Sequence, residues 1–189
     1  MNHIAIFASG TGSNAKKIIE HFQSNPSIKV SLLVSNKATA PVLNFAQEHG
    51  IDQCVIDRAS FYDTTAILSV LKKKRINFIV LAGFLWLIPP YLVEAFKGRM
   101  VNIHPALLPK YGGKGMFGKH VHQAVKAAGE TESGITIHYV NEHYDEGDII
   151  FQATCPISAT ATPEDIAKKV LTLEHRHFAT VIEQLLVSQ

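Results

Sequence analysis

His3-Ile4-Ala5-Ile6-Phe7-Ala8-Ser9-Gly10-Thr11-Gly12-Ser13-Asn14 is the stretch that decides the fold class. Residues 3–8 are a short apolar run, the length and character of a strand buried on both faces. Residues 14–23 follow with Ala15, Ile18, Ile19 and Phe22 at helical spacing. The turn between them carries Gly10 and Gly12, which permit a tight bend and close approach of a ligand. Strand, glycine-rich turn and helix in that order open a βα unit. The turn is either a plain connection or an anion cradle, because the first N–H groups of a helix have no partner within it. With Ala15 in last position it meets the relaxed G-x-G-x-x-G/A dinucleotide pattern. No Gly-Lys-Ser/Thr follows, so it is not a P-loop. A dinucleotide site also requires an acid about 20 residues further on. The end of the second strand reads Val34-Ser35-Asn36-Lys37, without one, which opposes NAD and favours a phosphate monoester.

Outward from this unit the alternation continues. Residues 28–34 form a second strand. Residues 41–49 form a helix begun by Pro41 and stopped by Gly50. A short third strand is expected at 51–56, and one helix at 60–74, opened by Ser60 and closed by a basic run. Asn77-Phe78-Ile79-Val80-Leu81-Ala82 is the most continuously apolar strand and is expected at the centre of the sheet. Alternating β and α at this spacing implies right-handed crossovers around a parallel sheet. The second half changes character. A strand at 99–103 leads into His104-Pro105, a loop rich in Gly and Lys spans 109–119, and a helix lies near 120–128. Residues 134–140 alternate as a half-exposed strand does, and 149–156 can pair with them across Asp145–Asp148. Residues 163–187 read as a long amphipathic helix behind Thr162-Pro163-Glu164. The expected fold is α/β, a mixed, mostly parallel sheet flanked by helices on both faces. Residues 1–189 are expected to form a single domain, with a parallel βα nucleotide-binding half at 1–100 and a catalytic half at 101–189.

Composition sets the class. The chain has 189 residues, 47% apolar and 18% charged, with a net charge of +2, as in an ordinary globular protein. That charge is too weak to point to nucleic acid. No apolar run approaches the 18 or so residues that span a bilayer, and the N-terminus reads as a first strand, not a signal peptide. The expectation is a cytoplasmic protein with small-molecule partners and no nucleic-acid or membrane partner. Cys54 and Cys155 lack metal-ligand spacing and are expected as buried, reduced thiols, a disulfide being the alternative.

Chemistry concentrates in Val101-Asn102-Ile103-His104-Pro105. On an extended backbone, residues two apart project to one face, so Asn102 and His104 point together. A carboxamide N–H stabilises a developing oxyanion, and an imidazole moves a proton near neutral pH. A histidine at a strand end is also an ordinary structural residue. Asp145 lies in His143-Tyr144-Asp145-Glu146-Gly147-Asp148, where Asp and Gly are ordinary turn formers. Its functional reading is a carboxylate that orients His104 and raises its pKa. The residues alone leave both readings open. His120/His122 and His175/His177 are i, i+2 pairs on expected helices, facing different ways, so no metal site is expected. His138 falls on the polar side of its strand, where it can line the pocket, and His3 is expected at a strand edge.

Ordered segments along almost the whole chain resemble the folate-dependent phosphoribosylglycinamide formyltransferase family. They are Ser9–Asn14, Val34–Lys37, Leu81-Ala82-Gly83-Phe84, Asn102-Ile103-His104-Pro105-Ala106-Leu107-Leu108-Pro109-Lys110, Gly134-Ile135-Thr136-Ile137-His138, Asp145-Glu146-Gly147-Asp148-Ile149-Ile150 and Glu174-His175. The resemblance implies a Rossmann-like formyltransferase fold. It also implies transfer of the formyl group of 10-formyltetrahydrofolate, as a cosubstrate and without a metal, to the amine of 5-phosphoribosylglycinamide in purine synthesis. The family's catalytic trio falls on Asn102, His104 and Asp145, and its substrate-phosphate loop on Gly12, Ser13 and Asn14, with a late-helix contact at Glu174. The folate side falls on Leu85, Trp86, Leu87 and Ile88, on Asn102, and on Asn141, Glu142, His143, Tyr144 and Asp145. Asn102 would donate to the oxyanion, and His104, held protonated by Asp145, would deliver a proton to the departing nitrogen. Two departures stand out: many relatives carry Arg where Trp86 stands, and some carry a folate-contacting Arg aligned with Thr64. Residues 111–119 form a longer loop than in the shorter relatives, either a mobile cover or a surface loop. Relatives occur as monomers and homodimers. The alternatives are a formyltetrahydrofolate hydrolase, expected to carry an additional N-terminal domain, and a non-catalytic folate- or nucleotide-binding module. A methionyl-tRNA formyltransferase is disfavoured by the lack of a C-terminal RNA-binding domain, and a nicotinamide oxidoreductase by the absent ribose acid.

Overall fold

A computed structural model describes residues 1–187. In chain order the elements are β1 (Asn2–Phe7), α1 (Ser13–Phe22), β2 (Ile28–Ser35), α2 (Pro41–Glu48), β3 (Asp52–Val55), α3 (Arg58–Tyr62), α4 (Ala66–Lys73), β4 (Phe78–Leu81), α5 (Pro90–Ala95), β5 (Met100–His104), α6 (Lys119–Ala127), β6 (Glu132–Tyr139), β7 (Ile149–Pro156) and α7 (Pro163–Val187). One seven-stranded sheet runs β3-β2-β1-β4-β5-β6-β7. The first five strands are parallel, and β6 and β7 are antiparallel. The apolar strand β4 is central, as its composition implies.

The pleat sorts the core. In β1, Ile4 and Ile6 pack with α1, α2, α6 and α7, whereas Ala5 and Phe7 pack with α3, α4 and α5. Strand β4 splits the same way, with Phe78 and Val80 on the first side and Ile79 and Leu81 on the second. Both faces are therefore covered, which is why these strands read as unbroken apolar runs. Helix α7 begins with a reciprocal cap between Thr162 and Asp165, each bonding the other's backbone N–H.

Some expectations need correction. The helix expected at 60–74 is two. Asp57 caps the first by accepting from the Ser60 N–H at 2.9 Å, so it starts before Ser60. The Thr64 hydroxyl then donates to the Ser60 carbonyl and accepts from the Ala66 N–H, competing locally with helix continuation. Strand β6 is buried on both faces and not half-exposed. Its polar Thr136 is enclosed by the segment after β5: the hydroxyl donates to the Ala106 carbonyl and accepts from the Leu108 and Gln152 N–H groups. Cys54 and Cys155 are free but only half-buried. They lie on β3 and β7, the two opposite edges of the sheet, so they are not a disulfide pair. His3 is the second residue of β1, and its ring bonds the Ser31 hydroxyl at 2.8 Å. Among the described residues no helix is long and apolar enough to cross a membrane.

Candidate active site

The order β2-β1-β4-β5 reverses between β1 and β4, and ligands of open α/β sheets bind beyond the C-terminal strand ends at such a point. There β1 enters the glycine-rich turn. Gly12 has φ 68°, and a Cβ on it would fall 2.2 Å from Val42 Cγ2 on α2, so only glycine fits. Among the described residues no side chain caps α1, so its first N–H groups are open to an acceptor. The turn is fastened to the segment after β4: the Ser9 N–H donates to Gly83 O (3.1 Å), and the Leu85 N–H donates to Ser9 Oγ (3.0 Å).

Asn14, buried on α1, donates to Glu174 Oε2 of α7 at 2.7 Å. The phosphate-loop and late-helix positions are thus neighbours although 160 residues apart. Among the described residues Asn14 Oδ1 is buried without a partner, an acceptor a ligand can meet. Burial pushes the Glu174 carboxyl up, and the Asn14 amide offsets part of this.

At the end of β5, Asn102 and His104 share one face, and antiparallel pairing sets His138 opposite Asn102 and Thr136 opposite His104. Asp145 returns to this face from the turn after β6. That turn is tight: a Cβ on Gly147 would fall 1.7 Å from Tyr139 O, and Asp145 itself has φ 58°. Asp145 Oδ2 lies 3.4 Å from His104 Nδ1 and accepts from the Gly113 N–H at 2.9 Å. Asp145 Oδ1 faces Asn102 Nδ2 at 3.4 Å and His138 Nε2 at 3.6 Å. Asn102 Nδ2 also lies 3.1 Å from His138 Nε2, and His138 Nδ1 lies 2.8 Å from Tyr139 O.

His104 is 3% exposed, and its Nε2 lies 2.7 Å from Tyr111 O, a separation that requires a proton on Nε2. Burial holds His104 below the ordinary imidazole range, outweighing Asp145 and Tyr111, which raise it. The expectation that Asp145 keeps His104 protonated is therefore corrected: desolvation of the cation is the larger effect. Burial alone would raise Asp145, but His138, His104 and the Gly113 N–H together hold it below the usual carboxylate range.

The segment 85–88 follows β4 and is tied to the glycine-rich turn through Leu85. Leu85 is exposed, Trp86 and Leu87 are half-buried, and Ile88, 2% exposed, belongs to the core. Trp86 packs on Phe61, Tyr62 and Phe84, and the Tyr62 hydroxyl donates to Leu87 O at 2.9 Å. Arg58 stacks over the Tyr62 and Trp86 rings at 5.5 and 5.6 Å, a cation the sequence reading did not single out. Thr64 is exposed in the break between α3 and α4. Of residues 141–144, Glu142 and His143 are exposed, Asn141 and Tyr144 are half-buried, and Asn141 accepts from the His143 N–H. His122 is buried on α6 whereas His120 is exposed, so that pair does face two ways. His138 is the site neighbour that sequence reasoning left outside the trio. Its place on the polar side of β6 was the available signal, but the register that sets it against Asn102 was not.

A profile of the formyl transferase family matches residues 2–182. A chloroplastic phosphoribosylglycinamide formyltransferase of Arabidopsis thaliana is 44% identical over 95% of this chain, which spans 63% of that protein. The phosphoribosylglycinamide formyltransferase of Bacillus subtilis is 36% identical, with 98% of this chain and 95% of that one covered. The crystal structure of the Bacillus halodurans phosphoribosylglycinamide formyltransferase superposes with a TM-score of 0.87 at 36% identity, covering 98% and 95%. On these matches and this fold, the chain belongs to the phosphoribosylglycinamide formyltransferase family of formyl transferases.

Proposed function

We propose that the protein transfers a formyl group from 10-formyltetrahydrofolate to the amine of 5-phosphoribosylglycinamide, a step of purine synthesis, in the cytoplasm. The observation that carries the reading is the convergence of Asn102, His104 and Asp145 at the end of β5, the same end of the parallel strands at which β1 enters the glycine-rich turn. Gly12, Ser13 and the start of α1 suit the ribonucleotide phosphate, with Asn14 and Glu174 beside them. Trp86, Leu85 and the 141–145 turn suit the folate, and the Arg58 guanidinium suits its anionic tail.

The chain's own groups divide the chemistry. The Asn102–Asp145 contact is long at 3.4 Å, so one Asn102 N–H is free to turn to the formyl oxygen as charge develops there. Such a donor contributes about 3 kcal/mol to lowering the barrier. His104 rests neutral, with its free lone pair on Nδ1, and takes up the proton lost by the attacking amine. The more exposed Asp145 carboxylate, 3.4 Å from Nδ1, relays that proton and then pairs with the imidazolium. The proton is returned to the departing folate nitrogen.

The test mixes the protein with 10-formyl-5,8-dideazafolate and follows absorbance with and without glycinamide ribonucleotide. Turnover that requires the ribonucleotide is expected. Turnover without it would make the protein a hydrolase, and tight binding without turnover would make it a binding module.

A further inference from the structure

The loop that follows β5 touches both partners of the His104–Asp145 pair: the Tyr111 carbonyl accepts from His104 Nε2, and the Gly113 N–H donates to Asp145 Oδ2. Tyr111 holds its carbonyl there with a φ of 58°, a conformation that residues other than glycine rarely adopt. Something beyond its own backbone preference must keep it so. Its phenol supplies the anchor, donating at 2.8 Å to Glu130 Oε1 in the turn between α6 and β6. Lys110, the preceding residue, reaches the same oxygen at 2.9 Å. Lys110 reaches it from an exposed side chain, so the grip that sets the backbone between Lys110 and Gly112 is that of Glu130 on the half-buried phenol. A cavity of about 250 Å³ adjoins the grip, lined in part by Leu107, Leu108, Val125 and Ser133, so a phenol released from Glu130 has room to turn.

We propose that Glu130 is a positioning residue for His104: by fixing the Tyr111 phenol it fixes the Tyr111 carbonyl, and with it the tautomer and orientation of the imidazole. Glu130 itself touches no reacting atom. The other ionisable groups around the ring are Asp145 from the turn after β6, His138 from β6 and His122 from α6, and none of them holds Nε2. The proposal rests on the reading of His104 as catalytic, and the experiment separates the two.

Tyr111→Phe, Glu130→Ala, Glu130→Gln and Lys110→Met are compared with the unaltered protein by steady-state kinetics and by ¹H–¹⁵N spectra of the imidazoles. Tyr111→Phe and Glu130→Ala are expected to lower kcat at least about tenfold, as small misplacements of a reacting group do. KM for both substrates should stay within about twofold, and the double variant should be no worse than the poorer single one. Glu130→Gln keeps an oxygen for the phenol and should retain at least about half of kcat; Lys110→Met should do the same. The His104 ¹⁵N shifts, which report one Nε2–H tautomer in the unaltered protein, should move toward a tautomer mixture in the two damaging variants. Unchanged His104 shifts with kcat within about twofold in folded Tyr111→Phe overturns the proposal, as does a rise confined to KM. If Glu130→Ala does not fold, Tyr111→Phe decides alone. If His104→Ala itself keeps kcat within about tenfold, the catalytic reading falls, and the imidazole spectra decide the proposal by themselves.

Discussion

Glu174 pairs with Asn14 where water is nearly excluded, 8% exposed, with its carboxyl raised chiefly by burial. A raised acid favours the fold below the ordinary carboxylate range, and that contribution is lost as pH rises through the raised value. At neutral pH the ionised group therefore costs stability. Glu174→Gln, whose amide can also donate to the unpartnered Asn14 Oδ1, is expected to gain about 1 kcal/mol, or 2–4 °C in Tm, at pH 7.5 while raising KM for the ribonucleotide. A lower Tm would contradict this. For His104 the sign is opposite. Its lowered value leaves the fold most stable above the ordinary imidazole range, with stability lost as pH falls through the lowered value. The acid limb of kcat/KM is accordingly expected below about pH 6.5. Asp145→Asn removes an influence that raises His104 and should move the limb further to acid. A limb at or above 6.5 in the unaltered protein would refute the resting neutral form. At this scale the sequence disclosed polar groups that the fold brings together but not their protonation, because desolvation at 3% exposure is a property of the folded surroundings.

Among the elements, the glycine-rich turn carries the sharpest steric demand. Gly12→Ala places a methyl 2.2 Å from Val42 Cγ2 in a left-handed backbone. The expected cost is about 1–3 kcal/mol, read by thermal or urea unfolding, with a weakened ribonucleotide KM. Adding Val42→Ala should recover only the steric part. Unchanged stability of Gly12→Ala would show that the turn is not held as described. Helical periodicity made α1, α2 and α7 legible, and unbroken apolar runs did the same for β1 and β4, which are covered on both faces. The break at Thr64 was hidden because the hydroxyl of that one residue, not apolar spacing, ends the helix there. Strand β6 alternates in sequence but is buried on both faces, because a loop supplied by a different segment closes its polar side.

Across the molecule, one continuous sheet joins residues 1–100 to 101–187, and α7 lies against α1, α6, β6 and β7. We expect both halves to melt in one calorimetric transition with agreeing van't Hoff and calorimetric enthalpies; two transitions would divide the chain into separate units. The class of the sheet follows from βα alternation, whereas its strand order and the β5–β6 register depend on long-range pairing that no local pattern encodes. The same long-range pairing brings Asp145 to Asn102 across 43 residues and Glu174 to Asn14 across 160. The central claim is that these distant parts form one reacting unit for formyl transfer. Its most direct measurement is kcat for transfer to glycinamide ribonucleotide in His104→Ala, Asp145→Asn and the double variant. Each single change is expected to cost at least about a hundredfold, and the double change little more than the worse one. Losses under about tenfold in both singles, or costs that simply multiply, would contradict it.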